Sequence, residues 1–222
     1  MDKHVQNALR AALNTYAEIE KVDASMLFAK LIEAFAADVP YLDKVAAMDA
    51  AFDDCPNFEA LREPIFDLLL INFFAADVQK LESDYLESEE WEAIEDETID
   101  RGTELLNLLL YLRECADEDI EPQLSDYLRE FLLVDEDEFQ DEHRIYEPVI
   151  ANQLLIDSGY EDIAAVASKI PDDQELAELF YPIMGFFYEQ HPTERDWKQY
   201  VAASKNPAFD AAIYQLITAY NH

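Results

Sequence analysis

Four histidines, two cysteines and fifty carboxylates are the side chains with which chemistry would begin in this 222-residue chain. A carboxylate-bridged di-iron centre needs Glu-x-x-His pairs on inward helix faces. Three residues before His143 stands Gln140, and three before His191 stands Tyr188, so neither histidine completes such a pair. The run Asp135-Glu136-Asp137-Glu138 has the charge of a calcium loop. Gln140 and Tyr146, however, occupy the sixth and twelfth places, where that loop needs Gly and Glu. Cys55 precedes Pro56 at an expected helix start, where a dipole can activate a thiol, but Asp53 and Asp54 oppose a thiolate there. Cys115 lies among Glu114, Asp117 and Glu118, with the same consequence. There is no Gly-x-Ser-x-Gly elbow, and three isolated glycines cannot build a phosphate loop. We therefore expect no catalytic residues, no metal and no cofactor. A groove enzyme would be revived only by a pocket that holds His143 or His191 beside a carboxylate.

Charge is the stronger signal. The chain has 50 acidic and 15 basic residues, a net charge of −35. Residues 82–147 hold 25 of the acids against 4 bases. Such a field repels nucleic acid and anionic membranes and attracts basic proteins. It also aids solubility, whatever the function. Within the acidic third, Trp91 stands among Glu89, Glu90 and Glu92, and Phe139 follows Asp135, Asp137 and Glu138. Aromatic side chains set among carboxylates suit a Lys- or Arg-bearing partner. The same aromatics, with Tyr146, would equally serve as the core contacts of otherwise solvated helices. These eight residues are the expected contact set for a basic protein partner. Versions of that reading include an inhibitor or immunity protein for a cationic enzyme, and a DNA mimic. No direct nucleic-acid binding and no membrane association are expected.

The elements that would carry these residues are helices. Half of the residues are hydrophobic, glycine is rare, and Ala, Leu, Glu and Asp dominate, which favours an all-α chain over sheets. The apolar run from Ile65 to Ala76 is interrupted by Asp67 and Asn72 and is too short to span a bilayer. The N-terminal residues have no basic segment followed by an apolar one, and the cysteines form no framework, so a cytoplasmic protein is expected. Periodicity and breakers predict helices over 3–20, 24–37, 41–53, 57–76, 78–87, 89–115, 120–133, 138–156, 160–169, 173–190, 193–203 and 208–220.

A repeat organises them. Asp77-Val78, Asp119-Ile120 and Asp162-Ile163 each lead, after four residues, into Ser-x-Tyr or Ser-x-Ile. Upstream lie Leu61-x-x-Pro64, Ile99-x-x-Gly102, Ile145-x-x-Pro148 and Leu179-x-x-Pro182. Each unit reads as an apolar helix with an early Pro or Gly, a turn, and a second helix capped by Asp. A hairpin of this kind buries its faces only by stacking on neighbours. The period near forty residues, the helix pair, the Pro and the Asp resemble HEAT-type repeats over roughly residues 24–203. The resemblance implies one domain over residues 1–222, a right-handed α-α superhelix of about five hairpins, binding proteins along a curved surface.

Overall fold

The computed structural model describes residues 1–76, 83–102, 104–129, 146–171, 173–174 and 176–222, and every regular element among them is helical. Helix α1 (Lys3–Glu20) buries Val5, Ala8, Leu9, Ala12, Leu13 and Tyr16, the spacing of one helical face. The Asp2 carboxylate accepts from the His4 and Val5 N–H groups and caps its start. Helices α2 (Ser25–Ala36) and α3 (Tyr41–Asp53) pack as a hairpin, and a 3-10 turn (Pro56–Leu61) leads into α4 (Arg62–Ala76).

Helix α4 is apolar on every side and buried from Pro64 through Asn72, as a central helix must be. It packs against α1, α3 and α7 (Leu106–Glu118). Between α4 and α7 come the short α5 (Ser83–Leu86) and α6 (Glu89–Thr98). Then follow α8 (Leu124–Tyr127), α9 (Glu147–Ala151), a 3-10 turn (Gln153–Asp157) and α10 (Tyr160–Ala167). The chain closes with α11 (Ala177–Tyr188), α12 (Glu194–Ala203) and α13 (Pro207–Asn221).

The chain ends meet. Helix α1 lies along α13, which also packs on α11 and α7. Two polar contacts fix the N-terminal residues: the Asp2 N–H donates to Asn72 Oδ1 (2.9 Å), and His4 Nδ1 pairs with the Tyr220 carbonyl (2.9 Å). In a linear array each hairpin touches its neighbours, so the first helix would not reach the last.

Several local expectations fail, among them the helix expected over 138–156, which among the described residues is α9 followed by a 3-10 turn. The helix expected over 89–115 is two helices, α6 and α7, with Gly102 between them. Glycine weakens a helix interior, and here the α7 start finds a substitute cap from another part of the chain, described below. The repeated Asp residues also do not begin second helices. Asp119 ends α7 in the left-handed region (φ 56°), and Asp162 sits inside the first turn of α10 behind Gly159. Asp196 is the third residue of α12, where it completes a capping box with Thr193. Asp77 lies outside the described residues. An acidic side chain in the first turn satisfies the dipole whether or not it is the cap, so the motif alone does not fix the boundary.

Candidate functional site

Helix α6 carries six carboxylates and no basic side chain in ten residues. Ser88 opens it: its Oγ accepts from the Trp91 N–H (3.2 Å). Ile94 is buried, and the Trp91 ring packs on Phe74 and Tyr85 with centroids 5.4 and 6.2 Å away. Trp91 is therefore half-buried and fastens α6 to the core. Glu89, Glu90, Glu92, Glu95, Asp96 and Glu97 are exposed. None of these six forms an ion pair among the described residues. Glu89, Glu90 and Glu92 suit the positive end of the helix dipole. Glu95, Asp96 and Glu97 crowd the negative end, and Glu92 faces Glu95 and Asp96 one turn on, a like-charge arrangement that weakens a helix. Ile99, 78% exposed, follows directly.

Of the remaining expected contact residues, Asp135, Asp137, Glu138 and Phe139 lie outside the described residues. Tyr146 is a core side chain: its hydroxyl donates to the Glu104 carbonyl (3.1 Å) and accepts from Asn107 Nδ2 (3.0 Å). His143 lies outside the described residues. His191 is exposed, its N–H donates to Glu189 Oε1, and its ring stacks on His222 at 4.8 Å. Cys55 and Cys115 are buried and form no disulfide among the described residues. Among the described residues no three His, Cys, Asp or Glu side chains could hold a metal ion, and no helix is long and apolar enough to cross a membrane.

A second arrangement was not singled out from the sequence. A cavity of about 330 Å³ is lined by Glu59, Arg62, Glu63, Asp67, Glu104 and Glu178 among others. Arg62 reaches Asp49, Asp53 and Glu59 at 2.8–3.1 Å, and Arg101 reaches Asp49 and Glu63. Their guanidinium groups also sit over the Phe52 and Phe66 rings, 5.4 and 5.2 Å from the centroids. The two arginines are thus fully engaged on the flank of the cavity.

Asp67 is 2% exposed, on the buried helix α4. Its Oδ2 accepts from the Leu105 N–H (3.1 Å), which supplies the cap that α7 lacks locally. Among the described residues its Oδ1 has no hydrogen-bond partner, and neither does the buried Oε2 of Glu63, one turn earlier on α4. Burial holds the Asp67 carboxyl well above the usual carboxylate range, and Glu104 adds to the rise. The signal in the sequence was present: Asp67 is a lone acid in an apolar run.

A neighbouring cavity of about 260 Å³ shares Glu178 and Phe209 with the first and adds Tyr181, Lys205 and Asp210. The Asp210 carboxylate accepts from Ser204 Oγ, yet burial raises its pKa to about 6. Comparison of the chain with protein-family models, with curated proteins and with solved structures gave no match.

Proposed function

We propose that this protein binds a basic protein partner through the carboxylate face of α6 and has no catalytic role of its own. The observation that carries the proposal is the unneutralised end of α6. Glu95, Asp96 and Glu97 oppose the helix dipole and pair with no internal cation among the described residues. The fold gains nothing from that arrangement, whereas a Lys- or Arg-rich partner relieves it. Exposed Ile99 adds apolar area beside the charge. Glu89, Glu90 and Glu92 extend the same face, and Trp91 holds the helix in position from below. Asp135, Asp137, Glu138 and Phe139 belong to the proposal on sequence grounds.

The finer architecture is part of the same reading. The pairs α2–α3, α10–α11 and α12–α13 support a HEAT-like, right-handed stack of hairpins, with α1 added across α13 to cover the last hairpin. The two buried cysteines, which form no disulfide among the described residues, support a reducing, cytoplasmic setting.

The test is affinity capture from native lysate at low and high salt, with wild-type protein beside a Glu89→Gln/Glu90→Gln/Glu92→Gln variant. A basic protein held by wild type at low salt, released at high salt and missed by the variant supports the proposal. Equal retention by the variant at low salt sinks it. If DNA competes for the captured protein, the partner is a nucleic-acid-binding protein and the acidic face acts as a DNA mimic.

A further inference from the structure

We propose that Arg101 is the positioning residue for the carboxylate face of α6, the side chain that sets where that face points; the inference rests on α6 being the binding element. From Glu89 to Asp100 the chain has seven acids and no base, and Arg101 is the first cation after them. The acids on α6 repel one another and repel those of α3, against which α6 packs, so charge alone would lift the helix off the core. Trp91 and Ile94 hold the first two turns. None of residues 95–100 is buried. Glu95, Asp96 and Glu97, the charges that oppose the helix dipole, therefore sit on the span between Ile94 and Arg101.

Arg101 closes that span with the geometry of an anchor. The chain turns after α6, and the Arg101 N–H donates to the Thr98 carbonyl (2.9 Å). The guanidinium then reaches two different helices: Nη1 donates to Glu63 Oε1 on α4 (3.0 Å), and Nη2 donates to Asp49 Oδ2 on α3. It also lies over the Phe66 ring of α4, and the side chain is 18% exposed. A planar fork stacked on a ring and bonded to two carboxylates fixes direction as well as charge, whereas a lysine ammonium supplies the charge without the fork. Arg62 holds the other oxygen of Asp49 (3.1 Å), which steadies the anchor point from the core side. Its remaining partners are Asp53 and Glu59, so Arg62 shares the network without touching α6. The sign of the charge makes the role of Arg101 separable. Removing it leaves the chain one unit more negative than −35, and charge alone then strengthens attraction for a cationic partner. Loss of position weakens it.

Hydrogen exchange of the full chain tests this, with Arg101→Met, Arg101→Lys and Arg62→Met beside wild type, each also titrated with a blocked hexa-arginine peptide at low salt. The Glu89→Gln/Glu90→Gln/Glu92→Gln variant in the same titration measures the share of peptide binding that α6 carries. Fluorescence in a Trp197→Phe background, where Trp91 is the one remaining tryptophan, reads the seating of the helix. Arg101→Met should speed exchange of the α6 amides about tenfold and shift Trp91 emission to the red. It should also weaken the α6 share of peptide binding several-fold, although it is the more acidic protein. Arg101→Lys should fall between Arg101→Met and wild type, and it covers the case that Arg101→Met does not fold. Arg62→Met makes the same change in charge and should leave α6 exchange near wild type and peptide binding no weaker. Unchanged α6 exchange in both Arg101 variants overturns the proposal, and so does equal loosening of α6 by Arg62→Met. Faster exchange with undiminished peptide affinity supports Arg101 as the anchor and overturns instead the reading of α6 as the binding face.

Discussion

Two carboxyls in this molecule do work that their place in the sequence conceals. Asp67 interrupts an apolar run, which marks it as unusual, but its use depends on Leu105, 38 residues away. Asp210 sits one turn into α13, where an acid looks like an ordinary dipole partner; instead it is 6% exposed and holds the Ser204 hydroxyl. Its pKa is raised to about 6, mainly by burial, with Glu178 adding to the rise. A group whose pKa is higher in the folded than in the unfolded state favours folding at low pH. That contribution is whole below the ordinary value of 3.8 and is lost as pH rises through about 6. Asp67 acts in the same direction. Stability should therefore fall between pH 4 and pH 7, with Asp210 responsible for up to about 3 kcal/mol. Asp210→Asn should flatten that slope, as measured by urea unfolding at pH 4 and pH 7. An unchanged slope would mean that Asp210 titrates like a surface acid.

At the scale of elements, the sequence was most legible where one face of a helix is simply apolar. Residues 3–20 and 41–53 are read correctly to the residue, since α1 and α3 have local apolar patterns and local start signals. Among the described residues, 83–129 were least legible. There the breaks depend on tertiary contacts: Gly102 separates α6 from α7, and Asp67 rather than a local residue caps the second piece. The early prolines mark real positions, at the third residue of α4, the second of α9 and inside α11. Those sites share a residue type but not a structural role, which is why the repeat read more regular than the helices are.

Glycine gives a sharper case at Gly185, on α11. A Cβ there would stand 2.7 Å from Tyr200 Cε2 and 3.5 Å from Tyr214 Cδ2. Tyr200 cannot yield easily. It is fully buried, stacked on Tyr181 at 4.7 Å, and its hydroxyl donates to the Asp210 carbonyl. Gly185→Ala should cost about 1–3 kcal/mol through overpacking between α11, α12 and α13, read by chemical denaturation. A neutral or stabilising effect would show that the tyrosine cluster has slack. Helix α6 should respond oppositely. Glu95→Gln/Glu97→Gln removes repulsion at a negative helix end and should raise stability by a few tenths of a kcal/mol per residue at low salt. Loss of stability would place those carboxylates in fold-supporting contacts instead.

At the scale of the whole molecule, charge and packing are separated in space. The continuous core runs through α1, α4, α11 and α13, while α6 holds on through Trp91 and Ile94 and turns its carboxylates outward. Composition announced the acidic character and the helical class. It did not decide whether Trp91 contacts a partner or supports α6 from below, because burial of one aromatic among six carboxylates depends on what stands opposite, here Phe74 and Tyr85. Nor did it announce the closure of α1 on α13, a contact between the two ends of the chain.

The central claim is that the location of the charge, rather than its total, selects the partner. Its most direct test is the affinity of the captured basic protein for three forms of the chain, measured by titration at low salt. The forms are wild type, the Glu89→Gln/Glu90→Gln/Glu92→Gln variant, and Glu18→Gln/Glu20→Gln/Glu33→Gln, whose three exposed carboxylates lie on α1 and α2. Both variants lower the net charge of −35 by the same three units. We predict that the α6 variant weakens binding by about tenfold or more while the α1–α2 variant stays near wild type. Equal weakening by the two variants would contradict the claim and leave the acidity a diffuse property of the surface.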